Sequence, residues 1–243
     1  MFDWRKAVNP TGCPTVMSMR LLMIRHGRVD FDVRDFRDTE RGPQWDPPLD
    51  ERGREQADLV AVRLASIEPP VALYVSPFRR CLQTVEPIAR ATGVRAAVDD
   101  GLSEVHTGDW EGVRFEDIFA THPEAIRGRI HDQRPIFAMA PGAETGAALR
   151  ARVVPAVERL LATAANASEG RDDGNVVMVT HGGVINAYLG HVMGLDQDMF
   201  FIPENTSVNT IDVEGERRRM RFINDVAHLA FPGIFTPPPG AEA

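Results

Sequence analysis

Two short apolar runs, each ending in a histidine followed by glycine, constrain this chain of 243 residues more than any other feature. Leu21-Leu22-Met23-Ile24 leads into Arg25-His26-Gly27, and Val176-Val177-Met178-Val179 leads into Thr180-His181-Gly182-Gly183. Apolar runs without alternation read as strands buried on both faces, the pattern of a parallel sheet covered by helices. In open α/β sheets, ligands gather outside the carboxyl ends of the strands. If these two strands are neighbours, both imidazoles face one crevice. The glycine after each histidine lets the backbone turn sharply and approach a ligand. One such His-Gly fits a buried, hydrogen-bonded histidine equally well; two at matching places point to a site.

The remaining chain alternates strands and helices, which predicts an α/β fold: a three-layer α/β/α sandwich with a mostly parallel central sheet. Leu49 to Ile67 reads as a helix stopped by Pro69-Pro70. Val71 to Val75 reads as a strand. Ser76-Pro77 then reads as a helix start, with Ser76 as N-cap and a helix to Ala91 that Pro87 should kink or shorten. Val94 to Val98 is a further strand. Ala147 to Ala165 is helical, with Pro155 breaking the pattern locally, and the helix after His181 should end at Gly194. Ser207 to Val213 and Arg219 to Ile223 suggest neighbouring strands at a sheet edge. Arg28 to Arg41 holds four arginines and five acids without periodicity and reads as a solvated loop. Residues 102–142, rich in glycine and proline, read as an excursion that helps to shape the site.

Composition narrows the function classes. Lys+Arg total 27 against 35 Asp+Glu, a net charge of -8, so the basic surplus usual in nucleic-acid binders is absent. No apolar run approaches the ~18 residues of a spanning helix, so no membrane span is expected. Cys13 and Cys81 are far apart and match neither a zinc knuckle nor a disulfide framework. Their scarcity, and the lack of a secretory h-region near the start, give the expectation of a cytoplasmic protein.

A basic partner for the histidines lies in Ser76-Pro77-Phe78-Arg79-Arg80-Cys81-Leu82-Gln83-Thr84, which opens at the same sheet edge. Arg79 and Arg80 fall in the first helical turn, where the macrodipole disfavours cations unless an anion compensates. Arginine supplies a planar fork suited to phosphate or carboxylate. A third piece, Leu102-Ser103-Glu104-Val105-His106-Thr107-Gly108-Asp109-Trp110-Glu111-Gly112, offers carboxylates in a loop, of which Asp109 and Glu111 are equally readable as surface charges. Two histidines, arginines and a carboxylate suit phosphoryl transfer. An imidazole can attack phosphorus, arginines neutralise the equatorial oxygens, and an acid can protonate the departing alkoxide. A zinc site built on His26, His181 and a carboxylate is the competing reading, but no His-Glu-x-x-His signature is present.

In these segments the chain resembles the histidine phosphatase superfamily, the phosphoglycerate mutase-like group. The resemblance covers roughly residues 20–213: Arg25-His26-Gly27, Pro48-Leu49-Asp50-Glu51-Arg52-Gly53-Arg54-Glu55-Gln56-Ala57, Ser76 to Thr84, the Leu-x-Glu of residues 102–104, Val179 to Gly183, and Asn205-Thr206-Ser207-Val208. It implies a domain over residues 19–228, with 1–18 as an N-terminal extension and 229–243 as a Pro-rich tail. It implies that His26 is the nucleophile that becomes phosphohistidine. Arg25, Arg80 and His181 would form the phosphate pocket, with Arg80 rather than Arg79 at the family position. Glu104 would be the proton donor and then the base for water. The resemblance further implies a metal-independent phosphatase of a small phosphorylated metabolite, with no cofactor. A phosphoglycerate-type mutase and a non-catalytic phospho-ligand binder are the alternatives, and the oligomeric state stays open. One segment departs from the family pattern. After Gly27 the run is Arg28-Val29-Asp30-Phe31-Asp32, so Asp32 stands where an Asn is usual. It should repel a second anionic group, with Arg28 as the candidate to compensate.

Overall fold

A computed structural model describes residues 18–123, 140–167 and 173–231. Its elements in chain order are β1 (Ser18–Arg25), a hairpin of β2 (Phe36–Thr39) and β3 (Gly42–Trp45), α1 (Glu51–Ala65), β4 (Ala72–Val75), α2 (Arg79–Thr92) and β5 (Ala96–Val98). After two 3-10 turns at Asp100–Leu102 and Gly108–Trp110 come α3 (Phe115–Thr121), α4 (Gly146–Ala167), β6 (Asp173–Thr180), α5 (Gly182–Met193), β7 (Val208–Glu214), β8 (Arg217–Asp225) and α6 (Ala227–Ala230). The central sheet has the order β5-β4-β6-β1-β7-β8. β5, β4, β6 and β1 run parallel, whereas β7 is antiparallel to both β1 and β8.

The apolar runs that opened the sequence reading feed two cores at once. Leu21 and Met23 pack with Val176 and Met178 against Leu149, Val153 and Val157 of α4 and Val184 and Tyr188 of α5. Leu22 and Ile24 point the other way and pack with Val177 and Val179 against Val60 and Leu64 of α1 and Val85 and Ile88 of α2. Period-two side chains on a strand with helices on both faces leave no polar position, which explains the unbroken apolar runs. The α/β sandwich with a mostly parallel sheet is therefore the observed architecture.

Several boundaries differ from expectation. α2 begins at Arg79 with Phe78 as a cap that makes no side-chain hydrogen bond, so Ser76 is not its N-cap. Neither proline ends its helix: α2 continues past Pro87 to Thr92, and α4 continues past Pro155 to Ala167. Proline removes the bond to the carbonyl four residues back. In α4 that carbonyl belongs to Ala151, which is exposed like Pro155, so water can satisfy it while the opposite face stays packed. Gly194 does close α5 in the left-handed conformation, φ 67°. The stretch read as a solvated loop contains β2, and β3 follows directly after it to close a hairpin. The first 17 residues and those from 232 onward lie outside the described residues, and with them most of the expected extension and tail. Among the described residues, no helix is long and apolar enough to cross a membrane.

Candidate active site

Strand register builds the site. Arg25 of β1 pairs with Thr180 of β6, and Val75 of β4 pairs with Val179. The next residue on each strand is His26, His181 and Ser76, so all three emerge side by side at one sheet edge. The His26 N–H donates to Thr180 O at 2.9 Å and the Ser76 N–H to Val179 O at 3.0 Å, extending the ladder one step beyond the strands. The imidazoles of His26 and His181 meet edge to face, with ring centroids 5.3 Å apart. The expectation that neighbouring strands would bring the two histidines together is met.

The His26 ring has a defined tautomer. Its Nδ1 lies 2.8 Å from Gly27 O. A carbonyl only accepts, so Nδ1 carries the proton and Nε2 keeps its lone pair. Burial, then Arg80 and Arg25, hold the His26 pKa well below that of a free imidazole. The ring is therefore neutral at physiological pH, with its lone pair on Nε2. The backbone around it is clamped: Asn205 Nδ2 donates to His26 O at 3.0 Å, and the Gly27 N–H donates to Thr84 Oγ1 at 3.0 Å. A Cβ at Gly27 would sit 2.5 Å from Gly53 O, so close approach to α1 is what requires glycine here.

Arg25 and Arg80 supply positive charge. Arg25 Nη1 donates to Pro203 O, but its Nε is buried with no hydrogen-bond partner among the described residues. A buried donor left open is costly, and an anion beside it would satisfy it. Arg80 is buried, stacks its guanidinium 4.6 Å from the Phe78 ring centroid, and donates to Trp45 O at 3.1 Å. Phe78 also packs edge-on against His181, with centroids 5.1 Å apart. Arg79 points elsewhere: its Nη1 pairs with Asp35 at 2.7 Å on the exposed surface. The two arginines at a helix N-terminus have a resident anion that sequence reading missed. Asp46, just after β3, accepts from the Arg79 N–H at 2.7 Å and lies 3.7 Å from Arg80 Nη1. It caps α2 from another element. Its only sequence signal was the acid preceding Pro47-Pro48 at the end of the charged stretch.

Arg80→Ala is expected to lower kcat/KM by ~10²-fold or more, on the scale of losing one oxyanion donor. Arg79→Ala should cost far less, because its side chain leaves the site. Steady-state kinetics of the two variants on one phosphomonoester checks this, and equal losses would contradict the assignment.

Glu104 sits across the pocket. Its Oε1 accepts from the Val105 N–H at 2.9 Å and from the Gly183 N–H, in the first turn of α5, at 3.2 Å. A Cβ at Gly183 would come within 2.5 Å of that oxygen, so the second glycine of His181-Gly182-Gly183 makes room for the acid. Desolvation raises the Glu104 pKa, against the pull of the Val105 N–H and of Arg80 and Arg25. Its backbone is held as well. Glu104 O accepts from Arg152 Nη2 at 3.0 Å and from Gln44 Nε2 of β3 at 3.4 Å. Arg152 is in turn fixed by Glu144 at 2.7 and 2.9 Å. Nothing in the sequence marked Arg152, Glu144 or Gln44, because their partners are distant in the chain.

The other acids considered fall away. Glu111 accepts one backbone N–H on each oxygen, from Thr107 and Trp45 at 2.7 and 2.9 Å, and so ties the hairpin to its loop. Asp109 is exposed. Arg28 does not compensate Asp32: it pairs with Asp50, whereas Asp32 pairs with Arg114. Among the described residues, no cluster of three or more His, Cys, Asp or Glu side chains could hold a metal ion.

Comparison with known proteins agrees with this geometry. Residues 21–226 match the model of the histidine phosphatase superfamily (branch 1). The chain is 32% identical over 180 residues, 74% of its length and 76% of the relative's, to glucosyl-3-phosphoglycerate phosphatase of Mycolicibacterium vanbaalenii. It is 27% identical over 214 residues, 87% of its length and 94% of the relative's, to phosphoserine phosphatase 1 of Hydrogenobacter thermophilus. Among solved structures, a mycobacterial glucosyl-3-phosphoglycerate phosphatase in complex with inorganic phosphate superposes with a TM-score of 0.70 at 29% identity. That match covers 86% of this chain and 98% of the other.

Proposed function

The chain belongs to the histidine phosphatase superfamily, and we propose from that premise that it hydrolyses small phosphorylated metabolites through a phosphohistidine formed on His26. The observation that carries this reading is a neutral imidazole with a free Nε2, set among Arg25, Arg80 and His181 and facing a carboxyl group. Nε2 attacks phosphorus in line with the leaving oxygen. The P–O bond breaks, and Glu104 gives its proton to that oxygen. Arg25 and Arg80 hold the equatorial oxygens, where transition-state charge resides. Glu104, now ionised, then takes a proton from water, which attacks the phosphohistidine and restores His26.

The relatives named above act on a glucosylated phosphoglycerate and on phosphoserine, both with a carboxylate beside the phosphate ester. The substrate class proposed here is accordingly a small acidic phosphomonoester. The guanidinium groups take over the charge neutralisation that metal ions supply elsewhere. The test is phosphate release from a panel of phosphorylated metabolites after exhaustive chelation. Turnover undiminished by EDTA is the expected result. Activity lost to EDTA and restored by zinc or magnesium would overturn it. A phosphoenzyme formed from 2,3-bisphosphoglycerate that returns its phosphoryl group to phosphoglycerate faster than to water would favour the mutase reading instead.

A further inference from the structure

We propose that Ser76 is a positioning residue that fixes His181 as its Nδ1–H tautomer, so that a neutral imidazole donates a hydrogen bond to the bound phosphoryl group. The proposal rests on the reading of His181 as a phosphate ligand. Ser76 was expected to cap α2 and does not. Its hydroxyl instead turns toward the sheet edge, where Oγ lies 2.7 Å from His181 Nε2. Both residues are fully buried. The register of β4 against β6 places them side by side, so the contact follows from strand pairing rather than from a loop conformation.

The chemistry selects the direction of that bond. A neutral imidazole has one N–H and one lone pair. With Nε2 taken by Ser76, Nδ1 is the nitrogen left for the anion; if Nε2–H donated to Ser76, Nδ1 would offer only a lone pair to phosphoryl oxygens, which only accept. If the hydroxyl donates to Nε2, Nδ1 carries the proton and can serve the anion. A doubly protonated ring would avoid the choice, but burial and the nearby Arg80, His26 and Arg25 all act against a charged His181. Among the described residues the other hydrogen-bonding side chain beside the ring nitrogens is Cys81, whose Sγ lies 3.5 Å from Nε2 and 3.8 Å from Nδ1, and a thiol is too weak a partner to set the tautomer. Ser76 thus occupies Nε2, and because its hydroxyl can donate, it lets Nδ1 hold the proton that a bound anion requires. The same logic operates at His26, where the carbonyl of Gly27 imposes a proton on Nδ1 and frees Nε2. Two imidazoles in contact are given the same tautomer by opposite partners, an acceptor at Nδ1 in one and a donor at Nε2 in the other. One becomes the nucleophile and the other the hydrogen-bond donor.

The decisive measurement is the 15N spectrum of histidine-labelled wild-type protein saturated with inorganic phosphate, with the His181 signals identified by their absence from His181→Asn. Protonated Nδ1 and unprotonated Nε2 are expected. A protonated Nε2 would overturn the proposal, and this arm needs no Ser76 variant to fold. In the second arm, Ser76→Ala should lower kcat/KM and the affinity for inorganic phosphate about tenfold each, the scale of one hydrogen bond. It should also mix the His181 tautomers, and Ser76→Thr, which keeps the hydroxyl, should recover most of the loss. Full activity in Ser76→Ala, or a loss with the tautomer unchanged, would overturn it. Failure of the phosphohistidine reading is separately visible as absence of phosphate on His26, whatever tautomer His181 adopts.

Discussion

His26→Ala is expected to lose phosphomonoesterase activity by a factor on the order of 10⁴ or more, the scale on which removal of a covalent nucleophile acts. Two observations support His26 as the proposed nucleophile. Its Nδ1 is committed to Gly27 O, and burial, then Arg80 and Arg25, disfavour a charged ring. Its neighbour His181 has its Nε2 engaged by Ser76, and the Cys81 thiol is buried with its pKa pushed far up by desolvation, so neither competes. A phosphoramidate is acid-labile and survives base. Wild-type protein quenched in alkali during turnover should therefore carry base-stable phosphate, and His26→Ala should carry none. A variant that kept full turnover would remove the covalent route. Base-stable phosphate persisting in the variant would move the nucleophile to another side chain.

The sequence made the sheet edge legible because two constraints coincide there. The short unbroken apolar runs before His26 and His181 suit strands packed on both faces, as they prove to be, and such strands deliver their next residue to the ligand crevice. Family spacing chose Arg80 over Arg79, and in the structure the two side chains part: one is buried on Phe78 and the other is paired outward with Asp35. What stayed hidden depends on contacts between distant segments. Ser76 carries a strong local helix-capping signal, and tertiary pairing with His181 overrides it. The β2/β3 hairpin has no period because its buried face is polar: Gln44 reaches Glu104 O, Trp45 N–H reaches Glu111, and the adjoining Asp46 reaches α2. Hydrophobic periodicity does not register an element held by such bonds. The same applies to Asp32, whose charge looked destined for Arg28. Arg28 is instead drawn to Asp50, the N-cap of α1, and Arg114 arrives from a loop beyond Glu104.

Glu104→Gln should discriminate between substrates rather than abolish activity on all of them. The variant keeps an oxygen for the Val105 and Gly183 N–H groups and loses only the titratable proton. An alkyl phosphate releases a strongly basic alkoxide and needs that proton. General acid catalysis is worth ~10²–10⁴-fold, so the first-turnover rate on an alkyl phosphate should fall by most of that factor. Nitrophenyl phosphate releases a stabilised phenolate, and its first turnover should fall much less. Rapid quench isolates this step from dephosphorylation, for which Glu104 is the proposed base. The pH dependence carries the sign. The first step needs Glu104 protonated and His26 neutral. Burial raises the Glu104 pKa, and a bound phosphate raises it further by like-charge repulsion, while His26 stays neutral well below the usual imidazole range. The rate of the first step on an alkyl phosphate should therefore decline as pH rises through the pKa of Glu104 in the complex. In Glu104→Gln that alkaline decline should vanish. Equal losses on both substrates, with the decline retained, would remove Glu104 as the acid. Glu111, bound by two backbone amides, and Asp109, exposed to solvent, are not placed to succeed it. The proton would then have to come from the substrate itself or from water.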